Sequence, residues 1–292
     1  MPTISPPPVT SLPPGVKLLQ LKFRLLAAVS TEWAFGAAWK LFTTPRQLPE
    51  KHWEAAALAM ARSFTVATKT GSVTAYEWNP AGRRTVLLVH GWEHRASFWG
   101  VLARELVAAG FRVVALDGPA HGASEGRRTT LPNFARAVQA VADVVGEVYA
   151  VVAHSLGGAA TVGVPVQFNQ AHTGRLPRLV LLAVPGSTAA VARRFAELLR
   201  LPPAVVARLN RYVQEQHGRD AESFSLIQVG HRFPADRALL LHDHDDASIP
   251  FAEAAEIAAN WPGLDFRATV GLGHNQIMRD PAVLRQVVEF LG

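Results

Sequence analysis

The amino-acid sequence predicts an α/β protein: a mostly parallel sheet of about eight strands flanked by helices, with a small helical insertion. Three observations carry this reading. From Thr85 onward, short runs rich in Val and Leu alternate with helical patterns. The runs are continuously apolar, as in strands buried on both faces, rather than alternating. The chain has 292 residues, 49% hydrophobic and 18% charged, enough to bury a large core.

The elements follow in chain order. Met1–Gly15 is Pro-rich and reads as extended or disordered. Lys17, Lys22 and Arg24 lead into LLAAVSTEWAFGAAW, which has the look of a signal-peptide core behind a basic region. Glu32 interrupts that core, Lys40-Leu41-Phe42 continues the amphipathic pattern, and the stretch is too short to span a bilayer. A helix packed on the domain or lying on a membrane surface fits better, with cytoplasmic location the default. Residues 1–62 are accordingly read as an N-terminal extension and 63–292 as the main domain. Alternation on both sides of Lys69-Thr-Gly-Ser72 signals a hairpin within Arg62–Asn79.

Six further strands are expected at Thr85–His90, Phe111–Asp117, Val148–Ser155, Leu179–Val184, Ala238–Asp243 and Asp265–Val270. Helical patterns occupy Ser97–Ala109, Leu131–Gly146, Leu156–Gln170, Phe251–Asn260 and Pro281–Leu291. Thr188–Phe233 contains no strand but carries helical stretches, the place for a cap inserted above the strand ends. Its apolar positions, among them Phe195, Leu199, Val205 and Leu209, are candidates to wall an apolar pocket or simply to cover the sheet. No internal repeat is present.

Composition excludes several chemistries. The chain has no cysteine, so a disulfide framework, a zinc–thiolate centre and a cysteine nucleophile are ruled out. The formal net charge is +6, but the arginines are scattered without interleaved aromatics, which reads as a solvated basic surface rather than a nucleic-acid site.

The chemistry gathers at strand ends. Val151–Ala160 reads VVAHSLGGAA, a buried-looking run that stops at a His-Ser pair and passes into residues with almost no side chain. A nucleophile held on a sharp strand-to-helix turn needs small neighbours two before and two after, here Ala153 and Gly157, while Gly158 lets the helix approach the sheet. Ala153 departs by one methyl from the usual Gly-x-Ser-x-Gly, and the ordinary alternative for Ser155 is a helix N-cap. A hydroxyl nucleophile needs a base, and the base an orienting carboxylate. His242-Asp-His-Asp-Asp-Ala-Ser-Ile-Pro250 follows one strand, and Gly271-Leu-Gly-His274-Asn follows the last. The order Ser, acid, His suits this topology, with His274 in a glycine-bracketed loop. The cluster from His242 to Asp246 also offers metal-ligand types, but alternate residues at a strand end point to opposite sides and no helical His pair supports them. No metal is expected.

Together, Leu88-Val-His-Gly-Trp92, Asp117-Gly-Pro-Ala-His-Gly-Ala-Ser124, Ala153-His-Ser-Leu-Gly-Gly158, the Asp…Ile249-Pro250 turn and Gly271-Leu-Gly-His274 resemble the α/β-hydrolase superfamily over Ser63–Leu291. The resemblance implies a serine esterase or lipase-like hydrolase of small acyl esters, needing no cofactor. It implies an acid a few residues before the Ile-Pro, which Asp246 matches best, with Asp243 and Asp245 as rivals. It also implies an oxyanion hole from the backbone N–H groups of Trp92 and Leu156. Trp92 then either walls an acyl pocket or, like Trp99, packs in the core. Asp117, Gly122 and Ser124 are expected to fix a loop, with His121 and His154 structural. A thioesterase or acyltransferase would use the same triad, and a non-catalytic receptor would share the fold.

Overall fold

The computed structural model describes residues 14–164, 166–168 and 176–292. Its eight strands are β1 (Arg62–Thr68), β2 (Gly71–Trp78), β3 (Thr85–Val89), β4 (Arg112–Leu116), β5 (Ala150–His154), β6 (Leu176–Leu182), β7 (Ala235–Asp243) and β8 (Asp265–Thr269). They form one sheet in the order β1-β2-β4-β3-β5-β6-β7-β8. β1 and β2 make the hairpin, β2 pairs antiparallel with β4, and the rest are parallel. The helices are α1 (Pro14–Val29), α2 (Thr31–Thr43), α3 (His52–Leu58), α4 (Gly100–Ala108), α5 (Leu131–Val145), α6 (Leu156–Val162), α7 (Thr188–Leu198), α8 (Pro203–His217), α9 (Leu226–Val229), α10 (Phe251–Asn260), α11 (Gly273–Gln276) and α12 (Pro281–Leu291).

Two core layers explain why the central strands are apolar at every position. On β3, Leu87 and Val89 face one layer while Val86 and Leu88 face the other; on β5, Val151 and Ala153 oppose Ala150 and Val152. The first layer is closed by α5 through Phe134, Val138 and Val141 and by α10 through Ile257. The second is closed by α4 through Leu102 and Leu106 and by α12 through Leu284 and Val287. With helices on both faces, alternation has no role, and every position of β3 and β5 is buried.

Some boundaries differ from the sequence pattern. The helix expected over Leu156–Gln170 closes at Val162, and the next residue, Gly163, sits so near Phe224 that a Cβ there would lie 2.1 Å from its carbonyl oxygen. Residues 169–170 lie outside the described part, as do residues 1–13 of the Pro-rich segment. β6 and β7 begin at Leu176 and Ala235, each three residues before the expected start, because the ladder between them extends beyond the apolar run.

The chain divides into two compact units. The sheet unit comprises 43–189 and 221–292. The other combines the described residues up to Phe42 with Ala190–Asp220. The segment 188–233 is therefore shared: Ala221–Phe233 packs with the sheet unit, where Leu226 enters the core. The apolar positions of α7 and α8 find their partners on α1 and α2. Leu199 and Val205 are buried with Phe23, Phe35 and Ala38, and Phe195 lies 4.8 Å from Phe42, ring to ring. Tyr212 packs on Phe35 and Trp39, and Arg208 covers Phe35 while pairing with Glu32 at 2.9 Å. Among the described residues no helix is long and apolar enough to cross a membrane.

Candidate active site

Ser155 ends β5 and opens α6 with φ 51° and ψ −124°, a conformation unfavourable for any residue with a Cβ. The surrounding geometry imposes it. The chain must reverse from strand into helix within one residue, because α6 packs directly on the end of β3. A Cβ on Gly157 would lie 2.5 Å from the carbonyl oxygens of Val89 and His90, and one on Gly158 would lie 2.3 Å from Val184. Leu156 is the first residue of α6, so its N–H is one of the donors the helix leaves unsatisfied.

Three of the expected residues come together. His274 Nε2 lies 3.1 Å from Ser155 Oγ, and His274 Nδ1 lies 2.8 Å from Asp246 Oδ2. Asp246 Oδ1 accepts from the N–H groups of Ser248 and Ile249, each at 2.8 Å, so the turn leading to Pro250 fixes the carboxylate. Burial works against this carboxylate's charge. The hydrogen bond from His274 and those from the two N–H groups outweigh it and hold the pKa below the usual value.

The rival acids hold the loop that carries His274. Asp243 Oδ1 accepts from the N–H groups of Asp245 and Gly273, both at 2.9 Å. Its Oδ2 accepts from Thr269 Oγ1 at 2.6 Å and Leu272 N–H at 3.1 Å. Burial again opposes, and these four donors prevail, leaving the Asp243 pKa lowered. Asp245 Oδ2 accepts from Gly271 N–H at 2.8 Å. His242 is fully buried and donates from Nε2 to Ile249 O at 2.9 Å, while the ring of His244 stacks on Phe251. His242 Nε2 also lies 3.5 Å from Asp246 Oδ2.

Buried histidines organise the loop after β3. His90 donates from Nδ1 to Gly91 O at 2.7 Å and accepts Gly118 N–H on Nε2 at 2.8 Å. His121 donates from Nδ1 to Pro119 O at 3.0 Å and accepts Glu93 N–H on Nε2 at 3.0 Å. Each arrangement requires a neutral ring, and burial supplies it: His90 is pushed well below the usual pKa and His121 down to about 4. Trp92 lies edge-on to His121, with ring centroids 5.4 Å apart. Gly91 needs its missing side chain, since a Cβ would lie 2.8 Å from Ser155 Cβ. Trp92 follows this close approach in the chain. Asp117 anchors the facing loop by accepting Ala96 N–H at 2.7 Å and Ala123 N–H at 2.8 Å. Trp99 is fully buried in the core.

Arg46, Glu93 and His94 gave no sequence signal, whereas His154 was expected to be structural. Glu93, itself at φ 60°, is gripped by Arg46 through Nε and Nη2, at 2.9 and 2.6 Å. His154 donates from Nε2 to the backbone oxygen of His274 at 2.9 Å, linking the residue before the serine to the one that faces it. His94 stacks between Phe98 and His154, and burial lowers its pKa to about 4. Arg46 and Glu93 are 47 residues apart in sequence and His154 and His274 are 120 apart, so only the fold pairs them.

The chain resembles known proteins at three levels. A curated monoacylglycerol lipase of Mycolicibacterium smegmatis is 28% identical over 210 residues, covering 60% of this chain and 75% of that protein. The structure of the Pyrococcus furiosus esterase Pf2001 superposes with a TM-score of 0.63 at 16% identity, covering 85% of this chain and 98% of that one. The thioesterase domain of the curacin biosynthetic pathway gives 0.53 at 16% identity, covering 79% and 98%. At such identities these structures speak for the fold. The family model Hydrolase_4, described as serine aminopeptidase, S33, matches residues 80–225, half of the chain. The chain therefore belongs to this family of α/β hydrolases.

Proposed function

We propose that this protein hydrolyses carboxylic esters through an acyl-enzyme formed on Ser155. The observation that carries the reading is the hydrogen-bonded chain Ser155–His274–Asp246, with contacts of 3.1 and 2.8 Å. The likeness to a monoacylglycerol lipase supports an ester substrate.

In this reading His274 Nε2 takes the hydroxyl proton as Ser155 Oγ attacks the carbonyl carbon. Asp246 holds the tautomer with Nδ1–H and stabilises the imidazolium that forms. The backbone N–H groups of Trp92 and Leu156 receive the developing oxyanion, each worth ~3–4 kcal/mol of transition-state stabilisation. The tetrahedral intermediate then collapses, His274 returns the proton to the departing alcohol, and water repeats the sequence on the acyl-enzyme. The neutral rings of His90 and His121 keep the loop of Gly91–Glu93 in register for this step.

A panel of chromogenic esters of graded acyl length tests the proposal. Turnover by the parent protein, abolished in Ser155→Ala with a loss on the order of 10⁴–10⁶ in kcat, is expected. Near-normal turnover by Ser155→Ala would exclude this mechanism. Turnover of thioesters in place of oxygen esters would redirect the substrate class while keeping the nucleophile.

A further inference from the structure

On α1, Leu18, Leu21, Leu25 and Val29 recur at helical spacing and fall within about 80° of one another around the axis. With Trp33 from the start of α2 they form one apolar surface, each residue between 51 and 71% exposed. The opposite side of α1 is the one that packs: Phe23 is buried in the core of its unit, with Leu19, Leu26 and Ala27 against it. Among the described residues, internal packing therefore accounts for only one face of this helix. Isolated exposed leucines need no explanation, but a contiguous stripe of this kind marks a contact surface.

Charge distinguishes the possible occupants. Lys17 and Arg24 flank the stripe on one side and Lys22 on the other, all exposed, and α1 has no acidic residue in its first turn. A protein interface is depleted in lysine around its apolar centre. A helix lying at a lipid–water boundary shows the reverse: leucines directed into the acyl region, lysines and arginines at headgroup level, and a tryptophan at the margin. The net charge of +6 adds attraction to an anionic surface.

We infer that α1, with Trp33, docks this protein on an anionic lipid surface. The inference does not depend on the ester-hydrolase reading, and its test needs no turnover. The full chain is centrifuged with sucrose-loaded vesicles of phosphatidylcholine alone and of phosphatidylcholine with phosphatidylglycerol. Preferential pelleting with the anionic vesicles is expected, weakened by high salt. The double variant Leu21→Asn/Leu25→Asn should bind at least ~10-fold more weakly. The triple variant Lys17→Gln/Lys22→Gln/Arg24→Gln should lose the preference for anionic vesicles, and both variants should keep the parent's circular dichroism spectrum. Pelleting with neither vesicle, or equal pelleting of parent and double variant, would overturn the inference. So would a parent dimer in analytical ultracentrifugation that the double variant converts to monomer, since a second copy would then occupy the stripe.

Discussion

Replacing Asp246 by Asn changes one atom and one charge, and its consequence follows from the hydrogen bonds around it. Oδ1 serves two backbone N–H donors and Oδ2 serves His274 Nδ1. An Asn keeps its oxygen on the two backbone donors, which turns its NH2 toward Nδ1. The imidazole must then accept at Nδ1 and carry its proton on Nε2, aimed at Ser155 Oγ. In that tautomer it is no base for the hydroxyl, and kcat should fall by about 10⁴-fold. The fold keeps both backbone bonds, so stability should drop by only ~1 kcal/mol. Asp243→Asn should behave in the opposite way. Its oxygens serve four donors, and an amide nitrogen in either position leaves at least one backbone N–H unmet and removes the charge. A loss of about 3 kcal/mol is expected, lowering Tm by roughly 6–12 °C. Ester turnover measured below both transitions should stay within about 10-fold of the parent, since no atom touching His274 Nδ1 has changed. Thermal unfolding and kcat on one chromogenic ester give both readings. A larger kcat loss in Asp243→Asn than in Asp246→Asn would refute the assignment of the acid.

Two further outcomes follow from the same geometry. Ser155→Gly removes the Cβ from a backbone at φ 51° and should unfold at higher temperature than Ser155→Ala, by ~1 kcal/mol after glycine's own entropy cost; an equal or lower Tm would mean the turn holds no strain. Burial keeps His90, His94, His121, His154 and His242 below the ordinary histidine pKa of 6.5. The unfolded chain takes up protons below about pH 6.5 that the folded one refuses, so stability is full above that pH and falls as pH drops toward 4, by up to ~1.4 kcal/mol per pH unit per ring. A Tm unchanged between pH 7 and 5 would contradict the neutral buried rings.

How much of this was legible in the sequence differs by element. The central strands were, because continuous Val and Leu runs have few other uses, and so was the serine, because only small residues tolerate the turn around it. Spacing to Ile249-Pro250 favoured Asp246 but left Asp243 and Asp245 as rivals, and the roles of Asp243 and Asp246 part only where the loops of β7 and β8 bring Gly273 and Leu272 onto Asp243. The apolar periodicity of α7 and α8 marked a buried face without naming its partner. Leu199 and Val205 meet Phe23 and Phe35, whose side chains lie more than 160 residues earlier in the chain. The grip of Arg46 on Glu93 left no pattern at all, since a lone arginine and a lone glutamate are ordinary surface residues until the fold pairs them.

The central claim is that Ser155 becomes covalently acylated. Intact-mass and peptide spectrometry after brief reaction with a fluorophosphonate probe, and separately with a slowly hydrolysed ester, test it most directly. The account predicts one adduct, on the peptide carrying Ser155, absent in Ser155→Ala and formed far more slowly in His274→Ala. An adduct on another residue, or ester turnover that continues while Ser155 stays unmodified, would contradict it.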